Sequence, residues 1–134
     1  MASEFQLRVV TPTRAVVDQP VTEVTAPGTL GEFGVLPDHA NFLTSLDSGR
    51  LTYKDPAGAH VLAVRDGFAE VSENVMTVLA EAAQSPAEVN VNAARADLQE
   101  AETELAHLAP IDPEYTVADA KRRWAQARLD VAAK

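Results

Sequence analysis

The chain has 134 residues and no cysteine, and its 20 acidic against 11 basic residues give a formal charge of −9. This length predicts one folded unit that needs neither disulfides nor a structural metal. The acidic balance argues against non-specific binding to nucleic acid or to an anionic membrane, because both need excess Lys and Arg. The absence of cysteine excludes thiolate metal sites and cysteine nucleophiles. The longest apolar run, residues 61–64, is far shorter than the roughly 20 residues that span a bilayer.

The first 85 residues show the pattern of short strands separated by turns. Phe5, Leu7 and Val9 alternate with polar neighbours, which is typical of a half-buried strand. Residues of turn chemistry, including Pro27-Gly28, residues 31–34 and Asp66-Gly67, separate the later candidates. Those candidates are Ala15–Val17, Val21–Ala26, Leu51–Tyr53, His60–Arg65, Phe68–Val71 and Val75–Ala80. Short strands with turns at this spacing predict an antiparallel β-sandwich over residues 1–85.

After Gln84 the apolar residues follow a helical period. Pro110 and Pro113 interrupt this period, and Thr116 with Asp119 is a start signal for a second helix. Spacings of three and four predict one apolar seam on each helix: Val91, Ala94, Leu98, Ala101, Leu105 and Leu108, then Val117, Ala120, Trp124, Ala127 and Val131. The chain is therefore predicted to be α+β, with the β-sandwich followed by an antiparallel two-helix hairpin in residues 86–134.

The two predicted helices differ in charge and share a thin apolar seam. Residues 92–108 hold four acidic residues and one basic residue, whereas residues 116–134 hold five basic and two acidic residues. Arg122, Arg123 and Arg128 are then either solvated charges, each worth about 0–1 kcal/mol in a surface pair, or contacts for an acidic protein. Four of the eleven seam positions are alanine, which buries little area. This predicts a hairpin that can detach, with an ordinary stable hairpin as the alternative.

Motifs for catalysis and for phosphate binding are absent from the sequence. No G-x-x-x-x-G-K-[ST] or G-x-S-x-G string occurs, and the glycines at 28, 31 and 34 are spaced as turn residues rather than as a dinucleotide fingerprint. His39, His60 and His107 are isolated from one another. The residues therefore favour a binding or structural module. Two alternatives are an adaptor whose hairpin pairs with another coiled coil and a β-sandwich enzyme with a metal on His39, His60 and an acid.

Four strings in the chain resemble the epsilon subunit of F-type ATP synthases. Residues 31–44, GEFGVLPDHANFLT, resemble the family stretch G-E-[LF]-G-[IV]-x-P-x-H-A-x-[LF]-L-T, which is quite specific. Residues 5–12 resemble the opening strand of the family, and residues 65–71, RDGFAEV, its G-G-[FI]-x-E-V strand. Residues 91–96, VNAARA, are similar to the [IL]-D-x-x-R-A string that opens the C-terminal helices. The resemblance covers essentially the whole chain.

The resemblance implies a non-catalytic rotor subunit of the central stalk, peripheral at the cytoplasmic face of a bacterial plasma membrane. It would couple proton translocation, or Na⁺ translocation, to ATP synthesis without binding nucleic acid or inserting into the membrane. The start Met-Ala-Ser-Glu-Phe lacks the features of a targeting segment, which favours a bacterial over a plastid source. The sandwich would bind the gamma subunit and the c-ring through Gly31, Glu32, Phe33 and Gly34. His39 would be an interface or loop-bracing residue, with Thr11 and Thr44 as weaker candidates on the gamma side.

The resemblance also implies that the hairpin opposes ATP hydrolysis by extending toward the alpha and beta subunits. Its contacts to an acidic loop of the beta subunit would be Arg122, Arg123 and Arg128. In several bacterial members the Asp and Arg of the [IL]-D-x-x-R-A string help to bind ATP. The four specified positions of that string are occupied here by Val91, Asn92, Arg95 and Ala96. Asn92 lacks the charge for a charge-assisted bond. We therefore expect ATP binding that is weak or absent, a helix cap at Asn92, and no metal or other cofactor.

Overall fold

The computed structural model describes residues 3–133. Met1, Ala2 and Lys134, the last of which was counted among the basic residues of the second helix, lie outside the described part. Within that part, eight strands precede a short 3₁₀ turn at Pro86–Glu88 and two helices. The strands and helices are β1 (Phe5–Val10), β2 (Ala15–Val21), β3 (Glu23–Gly28), β4 (Gly31–Val35), β5 (Phe42–Leu46), β6 (Gly49–Asp55), β7 (Gly58–Ser72), β8 (Val75–Gln84), α1 (Val91–Ala106) and α2 (Pro113–Ala132).

The strands form the predicted β-sandwich. Their order is β2-β1-β8-β7-β5-β3-β4, and β6 pairs with both β3 and β7. Alternate residues of the strands point into one apolar core, whose largest fully buried members include Leu7, Leu51 and Met76. All strand pairs are antiparallel except β1 and β8, which run parallel with Gln6 opposite Val75. The predicted α+β class, a sandwich followed by a helical hairpin, is confirmed.

Two strands lie where the sequence indicated a turn or gave no strand signal. Residues 31–35 form β4, which pairs with β3 so that Glu32 lies opposite Pro27, and residues 42–46 form β5. The prediction of a turn at residues 31–34 is therefore wrong, since the actual turn is confined to Thr29 and Leu30. Strand β4 has β3 as its one partner in the sheet, and glycines are tolerated in such an edge strand because it carries little packing.

Strand β7 continues through Asp66-Gly67, where the sequence predicted a turn between two strands. Its first half pairs with β6 and its second half pairs with β5, while β8 pairs with residues of both halves. At this change of partner the backbone is unusual, with φ of 26° at Asp66 and 153° at Gly67. A Cβ atom at Gly67 would lie 1.9 Å from the carbonyl oxygen of Leu79. Only glycine fits this bend.

The two helices form the predicted antiparallel hairpin, but the second begins earlier than predicted. Helix α2 starts at Pro113 with Asp112 as its N-cap residue, three positions before Thr116. Proline is favoured in the first helical turn, because its missing N–H has no helical partner there and its φ suits the helix. Neither helix within residues 3–133 is long and apolar enough to cross a membrane.

Helix α2 joins the hairpin to the sandwich. It lies against β6 and β7, where Ala127 and Val131 pack on Val61 and Ala63 with Trp124 at the edge of the cluster. Helix α1 packs on α2 and makes no comparable contact with any described strand. Since the buried side chains on α2 are mostly methyl-sized, this contact contributes little apolar area.

Helix α2 packs on both α1 and the sandwich, which explains why the single apolar seam predicted for it is only partly correct. Ala118 and Ala125 are fully buried although the seam omits them, and Val117, a predicted seam residue, is 72% exposed. Ala94 and Ala101 of α1 are also buried, and α2 is the main element packed on α1. One helix face therefore meets α1 and another meets the sandwich, whereas a single stripe with spacings of three and four describes only one contact.

The bend of β7 yields a stability prediction. Substituting Gly67→Ala adds a Cβ that meets backbone at a φ unfavourable for L-residues, so we expect a loss of about 3 kcal/mol in the free energy of unfolding. Gly58→Ala is the matched control, because Gly58 also has a positive φ of 125° but nothing lies within 4 Å of its Cβ position. That variant should lose only about 1 kcal/mol in urea unfolding. Equal losses in the two variants would contradict the steric role of the Leu79 carbonyl.

Candidate interaction surfaces

An apolar patch covers the outer face of β5, β7 and β8. Leu43, Phe68 and Leu79 are 69%, 57% and 54% exposed, and Phe68 lies directly opposite Leu79 in the sheet. Their neighbours Ala69 and Val78 point to the core, so the alternation of each strand turns these three side chains outward. The sequence analysis did not identify this patch. The signal was present as apolar residues at the outward positions of predicted strands, but it needed the register of the strands.

The two weaker candidates for a gamma-facing surface lie in different places. Thr11 is 9% exposed, and its hydroxyl accepts a hydrogen bond from the backbone N–H of Arg14. Thr11 also lines a cleft beside Phe68 and Leu79. Thr44 instead lines a cleft with Glu32 and Phe33. The structure therefore places Thr11 beside the outer patch and Thr44 beside the β3–β4 hairpin.

The β3–β4 hairpin projects from the sandwich as a tip with an apolar and an acidic residue. Leu30 at its turn is 98% exposed, and Gly31, Glu32 and Gly34 are exposed as well. Leu30 was missed by the sequence analysis, because a single apolar residue in a glycine-rich turn carries no periodic signal. Leu30 and Glu32 are the side chains that this tip offers to a partner.

Phe33, a predicted interface residue, and His39, predicted as an interface or loop-bracing residue, both pack against the loop. The ring of Phe33 packs edge-to-face on Phe42 with centroids 5.3 Å apart. The ring of His39 lies 5.0 Å from the same Phe42 ring, and its Nδ1 lies 2.7 Å from the carbonyl oxygen of Ala40. Aromatic contacts of this kind fix side-chain geometry, so Phe33 and His39 hold the tip in place.

The histidines do not converge on a metal site. His60 stacks on Tyr53 at 4.9 Å, and its Nε2 lies 3.0 Å from a carboxylate oxygen of Asp55. The hydrogen bond with His60 is the main cause that holds the pKa of Asp55 below its usual value, and it acts against burial, which raises that pKa. No group of three or more metal-ligating side chains occurs among residues 3–133. The metal-enzyme alternative has no ligand set in this part of the chain.

Arg123 connects α2 to the bend of β7. Its Nη1 lies 3.0 Å from Asp66 and 3.6 Å from Asp47, and its Nε lies 3.3 Å from Asp119 on α2 itself. Burial is the largest single effect on the pKa of Arg123 and lowers it, but the hydrogen bonds and charges of Asp66, Asp119 and Asp47 together raise the net pKa above its ordinary value. Asp66 also accepts a hydrogen bond from the backbone N–H of Ser48. This group is the charged junction between the hairpin and the sandwich.

The other two arginines of the predicted cluster are also paired within the chain. Arg122 contacts Asp119 on its own helix at 2.7 Å. Arg128 is 8% exposed, lies 2.9 Å from Asp97 of α1 and stacks over the ring of Trp124. The interpretation of the three arginines as solvated charges is therefore wrong for Arg128. In this conformation Arg128 joins α2 to α1, Arg123 joins α2 to the sandwich, and Arg122 is paired within α2.

The predicted nucleotide string only partly lines a cleft. Helix α1 is capped by Asn90, whose side-chain oxygen accepts a hydrogen bond from the Ala93 N–H at 2.9 Å. The predicted cap at Asn92 is therefore wrong, because the cap residue must precede the first helical turn with an extended backbone, and Asn92 lies inside that turn. Asn92 and Ala96 are exposed.

Val91 and Arg95, the other two residues of the string, line a shallow cleft against the end of α2. Opposite them lie Gln126, Leu129 and Asp130. Arg95 offers one positive charge to an anion, but the carboxylate of Asp130 in the same cleft opposes a phosphate group. The cleft as built is a poor site for a nucleotide.

The charged junction predicts how the hairpin opens. Replacing Arg123→Gln removes the bonds to Asp66 and Asp47, so we expect amide hydrogen exchange in α1 and α2 to rise about tenfold while the strands stay protected. Arg122→Gln is the matched control, because it changes the same charge on the same helix and its carboxylate partner is on α2. Equal exchange in the two variants would contradict a junction at Arg123.

Comparison with known proteins identifies a family for the chain. The family described as "ATP synthase, Delta/Epsilon chain, beta-sandwich domain" matches residues 4–86. The ATP synthase epsilon chain of Citrifermentans bemidjiense is 42% identical over 134 residues, which is 100% of this chain and 97% of that protein. The ATP synthase epsilon chain of Geobacter sulfurreducens has the same identity and coverage.

Solved structures show the same fold. A chain in the cryo-EM structure of the Euglena gracilis mitochondrial ATP synthase (OSCP/F1/c-ring) matches with a TM-score of 0.83 at 20% identity, covering 100% of this chain and 84% of that one. A chain in the central stalk and c-ring structure of the Tetrahymena thermophila mitochondrial ATP synthase matches with a TM-score of 0.66 at 12% identity, covering 95% of each chain. The chain therefore belongs to the family of ATP synthase epsilon chains, a non-catalytic subunit of that complex.

Proposed function

We propose that this chain is a rotor subunit whose sandwich binds the gamma subunit through its outer patch and the c-ring through its tip. The exposed side chains Leu43, Phe68 and Leu79 support the first contact, because exposed apolar patches on a soluble fold mark protein interfaces. Leu30 and Glu32 support the second, since the carboxylate can form charge-assisted hydrogen bonds to polar loops. Leu43 lines clefts on both surfaces, so the two contacts adjoin at β5 and torque can pass directly between them.

We further propose that residues 1–85 act as the binding module and residues 86–134 as a regulatory hairpin that opposes ATP hydrolysis when it extends toward the alpha and beta subunits. The observation that carries this proposal is the attachment of the hairpin, which rests on α2, methyl-sized side chains and the junction at Arg123. A contact this small supports two states of similar free energy. Release from the sandwich would free Arg123 from Asp66 and Asp47, and separation of the two helices would free Arg128 from Asp97. These two side chains, together with Arg122, would then meet an acidic surface of the beta subunit.

The complex acts at a coupling membrane, and we place this chain on its cytoplasmic side, held there by protein contacts. In that position the chain transmits the torque of proton translocation to the catalytic subunits. The formal charge of −9 supports attachment through subunits rather than through anionic lipid, because like charges repel.

Removal of the hairpin tests its proposed role. Truncation after Gln84 should leave assembly with the gamma subunit intact and raise ATP hydrolysis by the complex at least about twofold, because the extended, inhibiting state is lost. Hydrolysis by reconstituted complexes is the measurement. The full-length variant Asp66→Asn tests the opposite effect, because it weakens the bond between Arg123 and Asp66 but keeps all three arginines of the predicted cluster. It should lower hydrolysis by shifting the hairpin toward the extended state, and unchanged hydrolysis in both variants would remove the regulatory role.

The Val91 cleft predicts weak nucleotide binding. Calorimetry of the isolated chain with ATP should give a dissociation constant weaker than about 10 μM, which corresponds to roughly −7 kcal/mol. Asn92→Asp restores the charge of the family string and should tighten binding about tenfold through a charge-assisted bond. Tight binding by the unmodified chain would show that Asn92 does not impair the site.

A further inference from the structure

The outer patch is a ridge between two clefts. Phe68 on β7 and Leu79 on β8 lie opposite each other and line both clefts. The first cleft continues toward Val10 and Pro12 and includes Glu81. The second continues toward Leu43 and includes Glu70 and Thr77. Each side of the apolar ridge therefore carries one glutamate.

Neither glutamate is neutralised within the described chain. Glu70 and Glu81 are exposed, and neither forms an ion pair with any of residues 3–133. The cations of the adjoining β1–β2 segment are already paired, Arg8 with Asp18 and Arg14 with Glu88. The ridge thus presents two uncompensated negative charges to whatever covers it.

The sheet register fixes the distance between these charges. Glu70 lies opposite Thr77, and Glu81 is four residues farther along β8, where it lines a cleft with Phe68 and Leu79. At about 3.3 Å per strand residue the two positions are roughly 13 Å apart along the strand. A helix rises about 1.5 Å per residue and completes a turn every 3.6 residues, so side chains seven or eight positions apart lie on the same side of a partner helix. Their attachment points are about 10–12 Å apart, and long basic side chains can reach over the remaining distance.

These charges argue against a second copy of this chain as the occupant. A two-fold symmetric contact buries the same surface patch on both copies. It would therefore bring two further unpaired glutamates to the ridge, in molecules that each carry a formal charge of −9. A partner with basic side chains at the two clefts has the opposite sign of charge at both positions.

We propose that this face selects a gamma-subunit segment in which apolar side chains cover Phe68 and Leu79 and two basic side chains, roughly 13 Å apart, pair with Glu70 and Glu81. This inference rests on the proposed binding of the gamma subunit to the outer patch and adds the charge pattern that the partner must carry. The apolar ridge supplies contact area, whereas the two glutamates set the register of the partner along β8 and accelerate its association.

Binding to the cognate complex of alpha, beta and gamma subunits lacking this chain tests the inference. The variant Glu70→Gln/Glu81→Gln keeps side-chain size and removes both charges. Glu4→Gln/Glu102→Gln is the matched control, since it makes the same change at exposed positions away from the ridge. At about 50 mM salt we expect the first variant to bind about tenfold more weakly than the control, and we expect the difference to fall below about twofold at 500 mM.

A third variant, Phe68→Ala, separates this inference from the proposed function. Loss of binding in Phe68→Ala together with equal affinities of the two glutamine variants at low salt would overturn the charge pattern and leave the gamma contact in place. Unchanged binding in Phe68→Ala would overturn the use of this face altogether. A dimer of the free chain in sedimentation, abolished by Phe68→Ala, would show that the occupant is a second copy.

Discussion

The bend of β7 at Asp66-Gly67 is the constraint on which the surfaces of this protein depend. Its backbone can turn because residue 67 has no side chain to meet the Leu79 carbonyl, and the turn lets one strand serve both layers of the sandwich. One residue before the glycine, Asp66 points toward Arg123 and fixes the hairpin. One residue after it, Phe68 points outward into the apolar patch. A single local geometry thus positions both the hairpin and the apolar patch.

The attachments on the two sides of this bend differ in physical character. The outer patch offers apolar area with little polar compensation, which favours a contact that persists. The hairpin contact combines small side chains with carboxylates that are half-exposed, and such pairs are weakened by solvent and salt. This difference agrees with the proposed function, in which the sandwich stays bound to the stalk while the helices change position.

Strand alternation and helical period predicted the sandwich and the hairpin because both depend on local burial. Strand β4 escaped prediction because its two glycines resemble turn residues. Strand β5 escaped prediction because its sequence, FLTSL, shows no alternation of apolar and polar residues. The pairing of Arg123 with Asp66 spans 57 positions, so no local pattern contains it. The caps at Asn90 and Asp112 could have been found from their place before the first helical turns. The sequence shows that Phe68 and Leu79 are apolar residues in predicted strands, but only the pairing register of β7 and β8 shows that they lie opposite each other.

The order of contacts in the hairpin has a consequence for its proposed release from the sandwich. Helix α1 rests on α2, and α2 rests on β6 and β7, so the two helices are attached in series. A substitution on the outer side of α1 can reach the sandwich only through its neighbour, whereas a break at the β7 corner releases both helices together. The contact of α2 with β6 and β7 therefore limits how firmly both helices are held on the sandwich.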